Sequence, residues 1–406
     1  PITDLSTSRL RQFGGTSGIW GGWSIPFENY DFNNWPIKYD DIKKFEERTC
    51  EIFKIKKKFK KSSLDQFFNQ IEFQYSKVKF SEDYKDNLKK SKKINIFLNT
   101  QLTHFVGKNK KTNFAVCISN DKKFKIYSKF FVLTCGGLEN SRILLWTKKK
   151  SPNLINKNLP IGKYWMTHPW ILAAKGFIDK KMLESDKSFN LIDYDGPLHF
   201  AANHNFLKSK KLLSSAIYLN TTENKNFIKN LVNNILCVAP KYGKKIAASI
   251  FDKGIKCGNI FMHLEDLAKN NNKILLDDKE KDKFGIPILN LKYTRSTIPL
   301  KSAKNFLSEF AYLCQKKNYG RIAINEDIFD ENKYESLGEY HHIGGTRIGL
   351  DIFDSVVNKD LMIHGTNNLY VAGSSIFRTS SYCNPTFTIV QFVLRLANHL
   401  ENKIKK

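Results

Sequence analysis

Two histidines and one asparagine carry the chemistry this sequence could do. His341 and His342 stand side by side in YHHIGGT (Tyr340–Thr346), and Asn384 precedes Pro385 in NPTF. Imidazole is the side chain most easily held near neutral pKa, so it suits taking a proton from an alcohol. Removing a hydride from that alcohol also needs an oriented group hydrogen-bonded to its oxygen, and a carboxamide can serve. Each residue has a structural reading as well. A histidine before Gly344-Gly345 can be satisfied by turn backbone. Asn-Pro is an ordinary helix start, with Asn as N-cap and Pro as first helical residue. If the segment is extended, adjacent side chains point to opposite faces, so only one of the two histidines reaches the site.

The elements that must position these residues are legible in outline. Pro385–Leu400 has helical spacing, with Ile389, Val390, Val393, Leu396, Ala397 and Leu400 on one face. Asn368–Ala372 reads as a strand. Phe130–Thr134 is a continuous apolar strand that ends at Gly136-Gly137, and a helix over Glu139–Trp146 follows. Strand, Gly-Gly, helix is the geometry of a dinucleotide-binding turn, and equally of a tight strand-to-helix connection. Before it, alternating runs around Leu102–Val106, Phe114–Ile118 and Phe124–Tyr127 read as a β-meander. Ile94–Leu98 is strand-like, and Asp40–Phe53 has helical spacing through Ile42, Phe45, Thr49 and Ile52. RQFGGTSGIWGGW near the start is a glycine-rich loop. From about 171 to 336 the pattern is irregular, apart from a helix over Ile298–Cys314, and reads as a separate α+β lobe.

A chain of 406 residues implies two or more domains, and 41% hydrophobic with 13% aromatic content is that of a globular protein. The net charge of +27 raises a nucleic-acid reading. The cations are mostly lysine, spread along the chain with many Asn, Ile and Phe. That fits AT-rich coding and solvated faces better than a base-reading surface, so no specific nucleic-acid partner is expected. Seven scattered cysteines without CxxC argue against a disulfide framework or a metal site, and point to a reducing, cytoplasmic setting. No run approaches the length of a membrane span, and no signal peptide is visible. The first residue is Pro rather than Met, so we expect the true N-terminus to lie upstream.

YHHIGGTRIG, then VNKDLMIHGTNNLYVAGSSIF, then NPTFTIV, together resemble the C-terminal signature of the glucose–methanol–choline (GMC) family of flavin oxidoreductases. RQFGGTSGIWGG resembles that family's loop across the flavin, FFVLTCGGLENSRILL its strand–glycine–helix, and LPIGKYWMTHP its crossing into the substrate domain. The nearest resemblance is to the bacterial branch with pyranose oxidase and the gluconate and fructose dehydrogenases. It implies an α/β and α+β fold, with a Rossmann-like FAD-binding domain over 1–25, 95–165 and 339–406. A helical, basic connection would span 26–94, and an antiparallel-sheet substrate domain 166–338. It implies FAD held non-covalently, because Ile19 stands where some members attach it through a histidine. His342 would be the base and Asn384 its partner. Gly15, Thr16, Ser17, Trp20, Gly21 and Gly22 would contact FAD in the first loop. Gly136 and Gly137 would lie near the adenosine, Gly373 and Ser374 near the pyrophosphate and ribityl chain, and Pro385 and Thr386 near the flavin ring. A small alcohol or sugar would be oxidised, by a dehydrogenase in preference to an oxidase.

The chain also departs from that pattern. The family's first strand and GxGxxG turn are absent, so about 30 residues or more are expected upstream. Gly373 replaces a common acidic residue, and Arg378 a common proline. The alternatives are a truncated or degenerate relative without FAD, and a basic binding protein.

Overall fold

Seven antiparallel strands form the largest sheet, in the order Gly320–Ile324, Trp170–Ile178, Gly258–Leu264, Ser215–Leu219, Leu198–Ala202, Phe68–Ile71 and Lys61–Ser63. The computed structural model that shows this describes residues 5–193, 196–219, 258–330, 336–338 and 340–405; Cys237 and Cys257 lie outside these. Alternation along each strand separates two faces. One face carries Ile171, Phe200, Ile217 and Met262, all buried against the helix Ile298–Lys316 through Ala303, Phe306 and Phe310. Those three recur at three- and four-residue spacing, so one helical stripe covers the sheet. Burying each phenylalanine stabilises the lobe by about 1.5–3 kcal/mol. The opposite face carries rings in place of aliphatic side chains.

Two strands of this sheet come from the segment expected to be a helical connection. Asp65 makes the turn between them, with its Oδ1 accepting from the Phe67 and Phe68 amides at 2.8 and 2.7 Å. Such a local carboxylate turn competes with helix and brings Lys61–Ser63 onto Phe68–Ile71. The expected helix over Asp40–Phe53 is two pieces, Asp40–Lys43 and Glu46–Phe53. Ile94–Leu98 is not a strand. No neighbour among the described residues offers it a ladder, and Ile94, Ile96, Phe97 and Leu98 are exposed.

The meander is present as Thr100–Lys108, Lys111–Ser119 and Lys122–Tyr127. Its turns are Asn109-Lys110 and Asn120-Asp121, with positive φ at all four residues, the twist that two-residue hairpins need. Phe131–Leu133 pairs in parallel with Leu369–Val371. The helix after Phe131–Leu133 runs Gly136–Lys150, longer than its apolar spacing implied, and ends on Lys148, Lys149 and Lys150, which suit a helix C-terminus. The last helix spans Pro385–Lys405. The fold therefore combines an α/β unit with an antiparallel lobe, as the sequence implied. No helix of the described residues is long and apolar enough to cross a membrane.

Candidate active site

The parallel strands Phe131–Leu133 and Leu369–Val371 end side by side, and both leave through glycine turns. Gly136 has φ +90° with open space where a side chain would stand, and Gly373 has φ +115°. Asn140 ties the turns together. Its Oδ1 accepts from the Cys135 amide at 2.8 Å, and its Nδ2 donates to the Ala372 carbonyl at 3.0 Å and to Ser375 Oγ at 2.8 Å. The carboxyl ends of parallel strands, with a helix N-terminus beside them, are where α/β folds bind ligands.

His342 is locked to these turns by its backbone. Ser374 Oγ donates to the His342 carbonyl at 2.6 Å, and a Cβ on Gly137 would run into that same carbonyl. Its ring lies on the same side. Nε2 is 2.8 Å from Ser8 Oγ, whose only proton goes to the Leu5 carbonyl at 2.8 Å. The His342 Nε2–H must therefore donate to Ser8, which leaves Nδ1 unprotonated, buried and without a partner. Burial first, then the Arg9 charge, holds this imidazole down to a pKa of about 3.

His341 points the other way. It is only half-buried, its ring stands edge-on to His168 at 5.1 Å, and it makes no side-chain hydrogen bond among the described residues. Burial lowers its pKa to about 4, so it is neutral at pH 7. His168 Nε2 is 3.2 Å from His263 Nδ1. His263 and His199 are lowered to about 3, and His168 also lies below its ordinary value, in each case chiefly by burial.

Asn384 is linked to the same set of rings through Trp23. Its Nδ2 donates to the Trp23 carbonyl at 3.3 Å, and the Trp23 ring contacts His199 at 5.5 Å and Tyr218 at 6.4 Å. Asn384 Oδ1 is buried with no partner among the described residues, and accepts no amide of the helix that begins at Pro385. The residues before it are pinned. Ser381 Oγ donates to Asp31 at 2.9 Å, and the Tyr382 hydroxyl to Glu28 at 2.9 Å. His342 and Asn384 share no partner among the described residues.

The first loop packs beside the start of the last helix. Gly15–Gly18 is a 3-10 turn, closed by Thr16 Oγ1 accepting from the Leu10 amide at 3.2 Å and Ser17 Oγ donating to the Gly14 carbonyl. Trp20 Nε1 donates to the Val78 carbonyl at 2.8 Å, and its ring joins Phe53 and Phe387. Gly22, at φ +75°, lies so close to the Ser76 carbonyl that no side chain fits, and Gly21 lies against the Trp23 ring.

Residues 268–392 match the family model described as GMC oxidoreductase. This stretch is similar to the C-terminal part of GMC oxidoreductases. Among curated proteins, the fructose dehydrogenase large subunit of Gluconobacter japonicus is 24% identical over 307 residues, covering 74% of this chain and 52% of that protein. C-glycoside 3-oxidase of Microbacterium trichothecenolyticum is 30% identical over 136 residues, 33% of this chain and 25% of that one. The chain thus spans about half, or less, of the curated relatives it matches. Among solved structures, formate oxidase of Aspergillus oryzae RIB40 shares the fold with TM-score 0.58 and 12% identity, over 98% of this chain and 85% of that one. An FAD-dependent oxidoreductase from Chaetomium thermophilum gives TM-score 0.51 and 12% identity, over 82% and 65%.

The GMC match contains both histidines, Gly373, Ser374 and Asn384, whereas the Gly136 turn and first loop lie outside it. The structure gathers Gly136, Gly137, Gly373 and Ser374 around His342, and packs Trp20 of the first loop on the cluster of Phe53 and Phe387, in the first turn of the last helix. Ser8 and Leu10 link the two groups, through His342 and Thr16. It connects Asn384 and His341 only indirectly, through Trp23, Tyr218, His263 and His168. His168, His199, His263, Trp170 and Tyr218 were missed as site residues. The available signal was the alternation of rings with aliphatic residues in LHFAA, SAIYL and GNIFMHL.

Proposed function

We propose that this chain forms part of an FAD-dependent oxidoreductase that oxidises a CH–OH group of an alcohol, sugar or polyol. Relatives named fructose dehydrogenase and C-glycoside 3-oxidase, and the neighbouring FAD-dependent fold, support the reaction class. The observation that carries it is local. His341, a neutral, half-buried imidazole, and Asn384, whose buried amide oxygen has no partner among the described residues, are connected through the rings of His168, His263, Tyr218 and Trp23.

The residues fit the cofactor. Gly136 and Gly373 supply backbone without side chains at the strand ends, and with Gly137 and Ser374 they would hold its phosphates and adenosine side. Gly15, Thr16, Ser17, Trp20, Gly21 and Gly22 would cover it, with Pro385 and Thr386 at the ring. Bound FAD supplies the hydride acceptor. Ile19 is exposed and carries no nucleophile, so attachment there is non-covalent. Residues 1–25, 95–165 and 339–406 would form the FAD unit, and 166–338, joined by the strands of 61–71, the substrate lobe.

Of the two histidines, the geometry favours His341 as base. Its ring contact leads through His168, His263, Tyr218 and Trp23 toward Asn384, while His342 is tied to Ser8 and the glycine turns. His341 would take the hydroxyl proton, and Asn384 would hold the alcohol oxygen as charge develops on it. We read the enzyme as a dehydrogenase. In the full-length protein, His341→Ala is expected to keep flavin and lose about 10²–10⁴-fold in anaerobic flavin reduction by alcohols and sugars. His342→Ala should cost far less. The reverse order would return the base to His342, and a parent protein that binds no flavin would remove the proposal.

A further inference from the structure

The turn that leads into Asn384 is held in a conformation that its own residues do not favour. Ser381 has φ +54°, the left-handed region that residues with a side chain seldom adopt. Ser381, Tyr382 and Cys383 are buried, so the turn is fixed from its surroundings. One short stretch, residues 23–31, grips it from end to end. The Trp23 carbonyl accepts from Asn384 Nδ2 at 3.3 Å, and the Phe27 amide donates to Thr388 Oγ1 at 3.2 Å. Glu28 accepts from the Tyr382 hydroxyl at 2.9 Å, and Asp31 from Ser381 Oγ at 2.9 Å.

Asp31 is the centre of this grip. Its Oδ2 also accepts from the Glu28 amide at 2.8 Å, while Ser381 Oγ accepts from the Cys383 amide at 3.3 Å. A serine hydroxyl has one proton, and here it goes to Asp31, which turns a lone pair toward the amide just before Asn384. Carboxyl, hydroxyl and amide thus form one relay. Its flanks are fixed as well. Lys61 Nζ holds Glu28 at 2.8 and 2.9 Å, and the Asp266 amide donates to Ser380 Oγ at 2.7 Å. Burial, then the charge of Glu265, holds the Asp31 carboxyl well above the usual carboxylate range, which favours the neutral acid. A neutral acid and a carboxamide share one shape, with one acceptor oxygen and a donor beside it. Asparagine can therefore stand in for Asp31, and alanine cannot. Asn384 itself has only the long bond to Trp23, and its Oδ1 has no partner among the described residues. Its placement is left to the backbone turn.

We propose that Asp31 is a positioning residue for the oxidation: through Ser381 it holds the left-handed turn that aims the Asn384 amide at the substrate oxygen. The inference rests on the reading of Asn384 as the group that holds that oxygen. A misaimed catalytic group lowers rate more than affinity, and this separates positioning from substrate binding. The test uses the full-length, flavin-loaded protein, reduced anaerobically by glucose, sorbitol or ethanol, whichever is fastest with the parent. Asp31→Ala should lower the limiting rate about 10²-fold, with flavin content kept and apparent Kd within about threefold. Asp31→Asn should restore the rate to within about threefold of the parent. Ser381→Gly keeps the left-handed backbone and removes the relay, so it should be as slow as Asp31→Ala, and it decides the matter if Asp31→Ala does not fold. Asp31→Ala combined with Asn384→Ala should be no slower than Asn384→Ala alone, because the two act as one unit. Additive losses, a slow Asp31→Asn, or a parental rate in Asp31→Ala or Ser381→Gly would overturn the proposal. If Asn384→Ala is as fast as the parent, or no probe reduces the flavin, the reading of Asn384 falls. Hydrogen exchange of the peptide 379–388 then decides the turn. Faster exchange at the Cys383 amide in Asp31→Ala but not in Asp31→Asn supports the relay, and unchanged exchange refutes it.

Discussion

Asn384 shows most directly how a structural reading and a chemical one separate. From sequence alone, Asn-Pro is an N-cap and first-turn pair. Among the described residues the amide oxygen accepts nothing, while its Nδ2 holds the Trp23 carbonyl. A buried acceptor without a partner costs about 1–3 kcal/mol unless a ligand fills it. Asn384→Ala is therefore expected to change folding stability by only about 1 kcal/mol, read in a urea melt. It should also slow anaerobic flavin reduction by about 10²–10³-fold. A large stability loss with normal reduction would restore the capping role. The histidine pair teaches a related point. The motif placed both rings at the site, and extended geometry required them to diverge. What each ring contacts depends on residues far along the chain, Ser8 for His342 and His168 for His341.

At the scale of elements, the glycine turns distinguish conformation from space. Gly136 and Gly137 are adjacent, yet they are glycines for different reasons. Gly136 needs φ +90° and has open room, whereas Gly137 has a negative or extended φ and faces the His342 carbonyl. Gly136→Ala should cost about 1–2 kcal/mol of backbone strain. Gly137→Ala should cost about 3 kcal/mol, because backbone must move to admit the methyl group. Equal losses in denaturant melts would contradict that distinction. Helices with clear apolar stripes, Ile298–Lys316 and Pro385–Lys405, were legible because 3.6-residue periodicity is a local signal. The strands of 61–71 were not, since a short Asx turn in a lysine-rich stretch shows no long period. Ile94–Leu98 failed in the opposite sense: its pattern is that of a strand, but strand formation needs a neighbour.

Across the whole molecule, five imidazoles are held neutral by burial. His168, His199, His263, His341 and His342 all have depressed folded pKa values. In the unfolded chain each takes a proton near pH 6.5, while the folded protein resists until much lower pH. The unfolded state then binds more protons, so stability is full above about pH 6.5 and falls as pH drops toward the folded values. Buried Asp31 and Glu265 are raised, so above about pH 4 they act in the opposite direction, but they are two groups against five histidines. Between pH 7 and 5 the histidines dominate. Thermal melts should show Tm decreasing steadily across that window, with a slope near 1.4 kcal/mol per pH unit for each proton taken up on unfolding. A flat Tm would mean these imidazoles are wetter than their burial implies. The sequence by itself determined the α/β-plus-antiparallel architecture, the glycine turns and the two candidate catalytic motifs, because periodicity, turn chemistry and motif order are local. Only the tertiary structure decided that His341 packs on His168, that His342 is tied to Ser8 and the glycine turns, and that His199, Tyr218, Phe261, His263 and Trp170, from four strands, share a face. Those are consequences of strand register and long-range packing, which no local pattern encodes.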